Sequence, residues 1–161
     1  MSDPLGALPR IGLGWDRHPM QAGRPCKLGG IEIDSPVGPV GHSDGDAVLH
    51  ALTDALLGAA GLDDLGTLFP DDDPRYQGAD SDLFLKAALA LLEQRGLRPV
   101  SADIVVVCDR PRLSPYREAL RAHLASQIGL PTDRVNLKGK TREGEGGELL
   151  EATAVVLVAG A

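Results

Sequence analysis

The strongest constraint on the fold is the spacing of apolar residues over 44–57, where they recur at intervals of three and four. This spacing predicts a helix with one face packed on a core. The apolar stripe consists of Ala47, Val48, Ala51, Leu52, Ala55 and Leu56. Similar patterns predict a second helix over 81–96, with Ser81 as its N-cap, and a third over 114–129 that starts at Ser114 and Pro115.

Strand-like runs lie before, between and after these helices. Residues 11–15 alternate apolar with small side chains, and residues 27–33 predict a strand or a hairpin that bends at Gly29 and Gly30. Further strands are predicted over 104–108, 135–140 and 152–158. This order favours an α+β two-layer sandwich, in which a mixed four-stranded sheet carries helices on one face and a small hairpin, in a ferredoxin-like arrangement.

The size and charge of the chain limit the classes of protein to which it can belong. For 161 residues, of which 43% are hydrophobic, we expect a single domain over 1–161, with 1–9 as a flexible N-terminal extension. A formal net charge of −7 excludes a general binder of nucleic acid, because such proteins cluster Lys and Arg. No apolar run approaches the ~20 residues of a membrane span, and the first residues do not resemble a signal peptide, so we expect a cytoplasmic protein.

Three residues have the character of metal ligands. Asp16 and His18 stand at the end of the first predicted strand, and His50 lies in the first helix. Side chains two positions apart in a strand point to the same side, so Asp16 and His18 can face one ion while the helix delivers His50. One carboxylate and two imidazoles suit zinc and leave a fourth position for a substrate oxygen. Taken alone, these residues can equally be a turn aspartate and two unrelated histidines.

The start of the first helix carries a second group of polar side chains. His42 and Ser43 precede the helix, whose free N–H groups and positive dipole end receive anions. Asp54 stands one turn after His50 and is a candidate hydrogen-bond partner for that ring. A well-capped helix explains the same residues without any ligand.

A third group of polar residues lies late in the chain. A hydroxyl beside cations at the end of a strand can bind a phosphoryl oxygen, and a carboxylate can hold a hard cation. A charged turn is the alternative. The group contains Lys138, Lys140, Thr141, Arg142 and Glu143.

Together these segments resemble the 2-C-methyl-D-erythritol 2,4-cyclodiphosphate synthase family over nearly the whole chain. The resemblance rests on GLGWDRH at residues 12–18, DLG at 64–66, FPD at 69–71 and, above all, HSDGDAVLHALTDALLGA at 42–59. That last run is far more specific than a helix cap requires. The resemblance implies an α+β enzyme that assembles as a homotrimer with active sites between subunits.

The resemblance also implies roles for individual residues. Asp16, His18 and His50 would hold Zn²⁺, and Glu143 would hold a second divalent cation, Mg²⁺ or Mn²⁺. His42 and Thr141 match the transition-state stabilisers of the family, and they complete the catalytic set.

The substrate-binding residues follow from the same resemblance. The methylerythritol end would be lined by Asp64, Leu65, Gly66, Phe69, Pro70, Asp71, Asp72 and Asp73. The cytidine end would lie against Cys108, Pro111, Arg112, Leu113 and Ser114, supplied by a neighbouring subunit. The other substrate contacts would come from the metal ligands, from the catalytic pair, and from Arg17, Ser43, Lys140 and Arg142.

The chain departs from the family pattern after Glu143. Relatives often carry a longer segment there, with an aromatic residue and an arginine, whereas residues 144–148 are short, acidic and rich in glycine. Lys140 stands where threonine is common, and we expect its cation to replace part of the missing arginine at the diphosphate.

The family reaction closes a cyclic diphosphate and expels CMP, in the non-mevalonate isoprenoid pathway. Its phosphate nucleophile is already an anion, which agrees with the lack of a convincing nucleophile–base pair in this sequence. Two other functions stay open on the residues alone. A metal-dependent phosphohydrolase would use the same ligands to activate water, and a trimeric carrier would bind an isoprenoid diphosphate without turnover.

Overall fold

The computed structural model describes residues 8–41, 43–70, 72–145 and 148–161. Its strands are β1 (Arg10–Ala22), β2 (Cys26–Leu28), β3 (Ile31–Ile33), β4 (Val37–Pro39), β5 (Leu97–Cys108), β6 (Val135–Lys140) and β7 (Leu149–Gly160). Its helices are α1 (Ala47–Ala59), α2 (Leu65–Leu68), α3 (Ser81–Gln94) and α4 (Arg117–Gln127). Two short 3-10 turns cover Pro74–Tyr76 and Thr132–Arg134.

The main sheet has the strand order β4-β1-β7-β5-β6, and β2 pairs with β3 in a separate hairpin. Strands β5 and β6 are parallel, whereas β1 pairs antiparallel with β4 and β7, and β5 pairs antiparallel with β7. The sheet is therefore mixed, as predicted, but it has five strands rather than four. Val37–Pro39 adds the fifth, because it pairs with the far end of β1.

The ferredoxin-like connectivity predicted from the sequence is wrong. That motif alternates as β-α-β-β-α-β, whereas α4 here connects β5 to β6, its parallel neighbour, and β7 then inserts between β1 and β5. A helical crossover is the connection that adjacent parallel strands require. Element spacing along the sequence does not reveal where the last strand will insert.

One face of the sheet packs on the helices. Residues of β5 and β7 alternate between buried and more exposed positions, as expected for a half-covered sheet. On β1 the same face carries glycines, and a Cβ at Gly12 or Gly14 would lie 1.8 or 1.9 Å from the backbone oxygens of Ala55 or Ala51. Helix α1 thus lies directly against the backbone of β1. The buried residues of the sheet on this face include Ala102, Ile104, Val106, Ala152, Ala154 and Val156.

A buried carboxylate ties the hairpin to the first helix. Asp46 is the N-cap of α1 and accepts from Leu49 N at 3.1 Å. It also accepts from Gly29 N at 2.8 Å and Gly30 N at 2.7 Å, at the bend between β2 and β3. The hairpin predicted at Gly29 and Gly30 is confirmed, and both glycines have positive φ.

Several elements differ from the predicted bounds. Strand β1 extends well beyond the predicted 11–15, because the polar residues that follow broke the apolar pattern while still pairing with β7. The third helix starts at Arg117, so Ser114 and Pro115 lie in the preceding turn. Asp80, rather than Ser81, is the N-cap of α3. No helix in the described ranges is both long enough and apolar enough to cross a membrane.

Candidate active site

The carboxyl ends of three strands meet at one edge of the sheet. Strands β1, β5 and β6 run in the same direction, since β7 is antiparallel to both β1 and β5. His18 and Cys108 flank the same residue of β7, Leu150, from opposite sides. Neighbouring strands lie about 4.8 Å apart, so the backbones of His18 and Cys108 are about 10 Å apart. The metal candidates and the predicted cytidine segment therefore share this edge.

Asp16, His18 and His50 form one cluster. Asp16 Oδ2 lies 2.8 Å from His18 Nε2 and 2.9 Å from His50 Nδ1. One ligand atom from each residue lies within 4.8 Å of the others, a spacing that a single metal ion can bridge. The first two residues are on the helix-facing side of β1, and His50 reaches them from α1 because the glycines of β1 allow close packing.

The donor atoms of this cluster fit a metal ion. His18 Nδ1 lies 3.0 Å from the Val40 carbonyl and donates to it, which directs Nε2 to the centre of the cluster. His18 Nε2 is buried and has no hydrogen-bond partner, despite its closeness to Asp16. A buried nitrogen without a partner is costly, and a cation would supply that partner. The set of one oxygen and two nitrogens is typical of a divalent metal site.

The charges of the cluster also favour a bound cation. Burial opposes ionisation of Asp16, but the two imidazoles outweigh it and hold the pKa of that carboxyl well below its usual range. Burial also opposes protonation of His18, and the Asp16 carboxylate outweighs this and raises the pKa of that ring. The cluster therefore concentrates negative charge between two imidazoles, as a cation site requires.

The loop before α1 reaches the other side of His50. Ser43 Oγ lies 3.2 Å from His50 Nε2, and Ser81 Oγ at the start of α3 lies 2.8 Å from the same nitrogen. His42 lies outside the described residues. The predicted partnership between Asp54 and His50 is wrong, because Asp54 Oδ1 accepts from Leu65 N at 2.7 Å and so holds the start of α2.

The segments predicted to line the methylerythritol end follow α1. Asp64 caps α2 and accepts from Thr67 N at 2.8 Å, and these hydrogen bonds lower the pKa of the exposed carboxyl. Phe69 packs on Phe84 and Tyr76, with ring centroids 5.0 and 5.5 Å away, and Phe84 in turn packs beside His50. This aromatic group connects the loop to the metal cluster.

The remaining residues of that loop are mostly at the surface. Leu65 and Gly66 lie in α2, and Pro70 and Asp72 are exposed. Asp73 caps the 3-10 turn and forms hydrogen bonds with Arg75, which lower the pKa of Asp73. Asp71 lies outside the described residues.

A cavity of about 400 Å³ lies at the ends of β5 and β6. Every residue predicted for the cytidine end lines it, namely Cys108, Pro111, Arg112, Leu113 and Ser114. Lys138 and Lys140 line it from β6 and Thr141 lines it from the turn that follows, together with Arg117, which sequence reasoning missed. Burial raises the pKa of the Cys108 thiol to about 12, so this residue lines the cavity as a neutral group.

The turn after β6 places Thr141 against Glu143. Thr141 Oγ1 donates to Glu143 Oε1 at 2.6 Å, and Glu143 has a φ of 56°. A left-handed conformation is unusual for glutamate and is frequent at functional sites. Arg142 pairs with Glu151 at 2.8 Å, so its guanidinium is directed to the sheet rather than into the cavity.

Arg17 does not join this group. It lies between Asp16 and His18 in β1, so its side chain is on the opposite face of the sheet, 5.6 Å from the Trp15 ring centroid. Within one chain it therefore lies apart from the metal cluster. Sequence reasoning also missed the link from His50 through Ser81 to Asp44, because the local pattern presents Ser81 only as a helix cap.

Comparison with known proteins places the chain in a family. The model of the YgbB family matches residues 9–159. A 2-C-methyl-D-erythritol 2,4-cyclodiphosphate synthase of Thermus thermophilus is 54% identical, over 94% of this chain and 99% of its own length. That of Dechloromonas aromatica is 52% identical, over 92% of this chain and 96% of its own length.

Solved structures agree with the sequence relatives. A 2C-methyl-D-erythritol-2,4-cyclodiphosphate synthase in a CDP-bound form superposes with a TM-score of 0.89 at 51% identity, covering 92% of this chain and 99% of its own. A complex of the Plasmodium falciparum protein with CDP has a TM-score of 0.83 at 30% identity, over 94% of this chain and 96% of its own. From its match to the family model and its identity with these relatives, the chain belongs to the YgbB family of 2-C-methyl-D-erythritol 2,4-cyclodiphosphate synthases.

Proposed function

We propose that this protein converts 4-diphosphocytidyl-2-C-methyl-D-erythritol 2-phosphate into 2-C-methyl-D-erythritol 2,4-cyclodiphosphate with release of CMP. It is then a phosphorus–oxygen lyase of the non-mevalonate isoprenoid pathway, acting in the cytoplasm. The observation that carries the proposal is the cluster of Asp16, His18 and His50, set at the same sheet edge as the cavity at Cys108, in a chain of this family.

Asp16, His18 and His50 would hold Zn²⁺, and Glu143 would hold a second divalent cation, Mg²⁺ or Mn²⁺. The bound ions supply Lewis-acid neutralisation of the diphosphate charge. The unpartnered Nε2 of His18 supports the first assignment, and the carboxylate of Glu143 beside the cavity residue Thr141 supports the second.

The chain's own residues position the substrate. An oxygen of the 2-phosphate forms a bond to the β-phosphorus, the bond from that phosphorus to the bridging oxygen breaks, and CMP leaves with the electron pair. Both phosphates are anionic, so Lys140 and the Thr141 hydroxyl at the cavity wall would reduce their repulsion and hold them in line. The cavity behind them accepts the cytidine.

The exposed face of the sheet supports assembly as a homotrimer. The side of the sheet away from the helices exposes Ile11, Leu13 and Trp15, with 70%, 68% and 52% of their surface accessible. Val155 and Leu157 of β7 extend this apolar patch. A contiguous patch of this kind is typical of a protein–protein interface. The family resemblance implies that each active site then lies between two subunits.

Product analysis of metal-loaded protein tests the proposed reaction. We expect CMP and a cyclic diphosphate with no oxygen-18 incorporated from labelled water, because the nucleophile is internal. His50→Ala should lose the metal and lower the rate of CMP release by about 10²-fold or more. His123→Ala is the matched control, since His123 is an exposed histidine of α4.

Two outcomes would reject the proposal. Incorporation of oxygen-18 into the products would identify a phosphohydrolase. Tight binding of an isoprenoid diphosphate without metal-dependent CMP release would identify a carrier.

A further inference from the structure

Ser81 lies between the candidate metal ligand His50 and a charged pair on the far side of the ring. Ser81 Oγ is 2.8 Å from His50 Nε2 and donates to Asp44 Oδ1. The residue is fully buried, so water does not compete for these contacts. Ser81 thus connects a metal ligand on α1 to a carboxylate in the loop before it.

The carboxylate of Asp44 is held in place from several directions. Its Oδ2 lies 3.3 Å from Lys27 Nζ and accepts from Ser81 N at 3.2 Å, and its Oδ1 accepts from Asp46 N at 3.2 Å. Lys27 also pairs with Asp80 at 2.9 Å. An ionised carboxylate has no proton to donate, so Asp44 faces Ser81 as an acceptor only.

The direction of the hydrogen bonds follows from that charge. Because an ionised carboxylate cannot donate, the Ser81 hydroxyl proton points to Asp44, and Ser81 Oγ then presents a lone pair to His50 Nε2. His50 Nε2 must carry the ring proton to fill that contact. When a metal ion replaces the proton at Nδ1, which lies 2.9 Å from Asp16 Oδ2, this contact keeps the ring proton on Nε2.

We propose that Ser81 is a positioning residue for the metal site: with Asp44 and Lys27 it selects the His50 tautomer whose Nδ1 is free and fixes the orientation of the ring. The inference rests on the proposed function only for the identity of the ion. Ser43 Oγ, at 3.2 Å from the same nitrogen, is a second and longer contact.

Zinc affinity, measured by competition with a chromophoric chelator, tests the proposal. Ser81→Ala removes the hydroxyl and leaves the Ser81 N–H to Asp44 intact, so the fold should be retained. We expect its zinc affinity to fall about tenfold. Loss of a hydrogen-bond partner of a metal ligand costs about 10–100-fold, and the smaller effect is expected here because Ser43 still contacts His50. Asp44→Asn, which keeps an acceptor oxygen but not the charge, should weaken zinc binding less.

Asp80→Ala is the matched control. Asp80 caps α3 and contacts Lys27, yet it has no contact with His50. The variant should lower the melting temperature while leaving zinc affinity unchanged. This separates loss of the hydrogen bond from general loosening of the helix start.

A second readout uses the zinc-loaded protein. Nitrogen-15 NMR of the histidine rings should show the Nε2 proton of His50 retained and slow to exchange with solvent in the native protein, and exchanging faster in Ser81→Ala. Unchanged zinc affinity or an unchanged exchange rate in Ser81→Ala overturns the inference, as does an equal loss of affinity in Asp80→Ala. If the native protein releases CMP in these cases, the proposed function survives. If the native protein binds no zinc, both the inference about Ser81 and the proposed function are rejected.

Discussion

His50 Nδ1 lies 2.9 Å from Asp16 Oδ2, although 34 residues separate them along the chain. Asp16 is on β1 and His50 is on α1, so their distance depends on how closely that helix approaches that strand. The approach is possible because Gly12 and Gly14 have no side chain where the backbone of α1 passes. The metal cluster is thus a consequence of glycine packing.

Gly14→Ala should therefore damage both stability and metal binding. The alanine Cβ would lie 1.9 Å from the backbone oxygen of Ala51. A backbone atom cannot move aside as the end of a flexible side chain can. We expect the free energy of unfolding to fall by about 1–3 kcal/mol or more, the usual cost of overpacking, and zinc affinity to fall with it. Denaturant unfolding and chelator competition measure the two effects.

Gly58→Ala is the control for that substitution. Gly58 lies in α1 and nothing lies within 4 Å of its added Cβ. Alanine should stabilise the helix by about 0.5–1 kcal/mol, because glycine loses more backbone entropy on folding. Normal zinc affinity in Gly14→Ala would contradict the packing argument.

Asp46→Asn should destabilise the fold. Asp46 accepts three backbone N–H groups with two carboxylate oxygens, and asparagine offers one oxygen and an NH₂ that faces a donor. We expect a loss of about 1–3 kcal/mol near neutral pH, the cost of an unsatisfied buried group. Denaturant unfolding of the two proteins gives the difference.

The same pair of proteins should differ in pH dependence. Burial raises the pKa of Asp46 to about 6, against the backbone hydrogen bonds, from an ordinary value of 3.8. The folded protein therefore binds a proton between these values when the unfolded chain does not. The part of the stability that comes from this extra proton is full below about pH 4 and is lost as the pH rises through about 6, whereas the three backbone hydrogen bonds remain. The advantage over Asp46→Asn should accordingly shrink over this range; an advantage that grows would contradict the assignment.

Leu13→Asp should prevent assembly. Leu13 is 68% exposed in one chain, at the centre of the apolar sheet face, and a buried carboxylate there would be unpaired. Light scattering after gel filtration should report three copies of the 16.9 kDa chain for the native protein and one copy for the variant. Leu83→Asp, on the helix side and 50% exposed, should remain trimeric. A trimer in both variants would place the interface elsewhere.

Lys140→Ala tests whether Lys140 replaces the diphosphate-binding arginine that relatives often carry after the residue corresponding to Glu143. Lys140 lines the cavity at the end of β6, and loss of a charged contact to the diphosphate should raise KM about tenfold, the equivalent of about 1.4 kcal/mol. Steady-state CMP release measures it. Lys86→Ala, in an exposed pair with Asp82 on α3, is the control. Equal kinetics for Lys140→Ala and the native protein would remove Lys140 from the site.

Sequence patterns predicted the local elements well where burial follows a simple period. The helix at Ala47–Ala59, the hairpin at Gly29 and Gly30, and the strand at Val135–Lys140 all appear. Alternation in β1 also placed Asp16 and His18 on one side, whereas Arg17, expected among the substrate contacts, lies on the other. The family resemblance supplied the ligand set, which spacing alone left open.

Contacts between distant elements were decided only in three dimensions. The insertion of β7 between β1 and β5, the pairing of Asp54 with Leu65 and the contact of Ser81 with His50 have no signal in local spacing. The period of the apolar residues predicts which side of a helix or strand is buried, because removal of apolar surface from water is favourable. It does not state which element covers that side, since this depends on packing at close range, set here by Gly12 and Gly14.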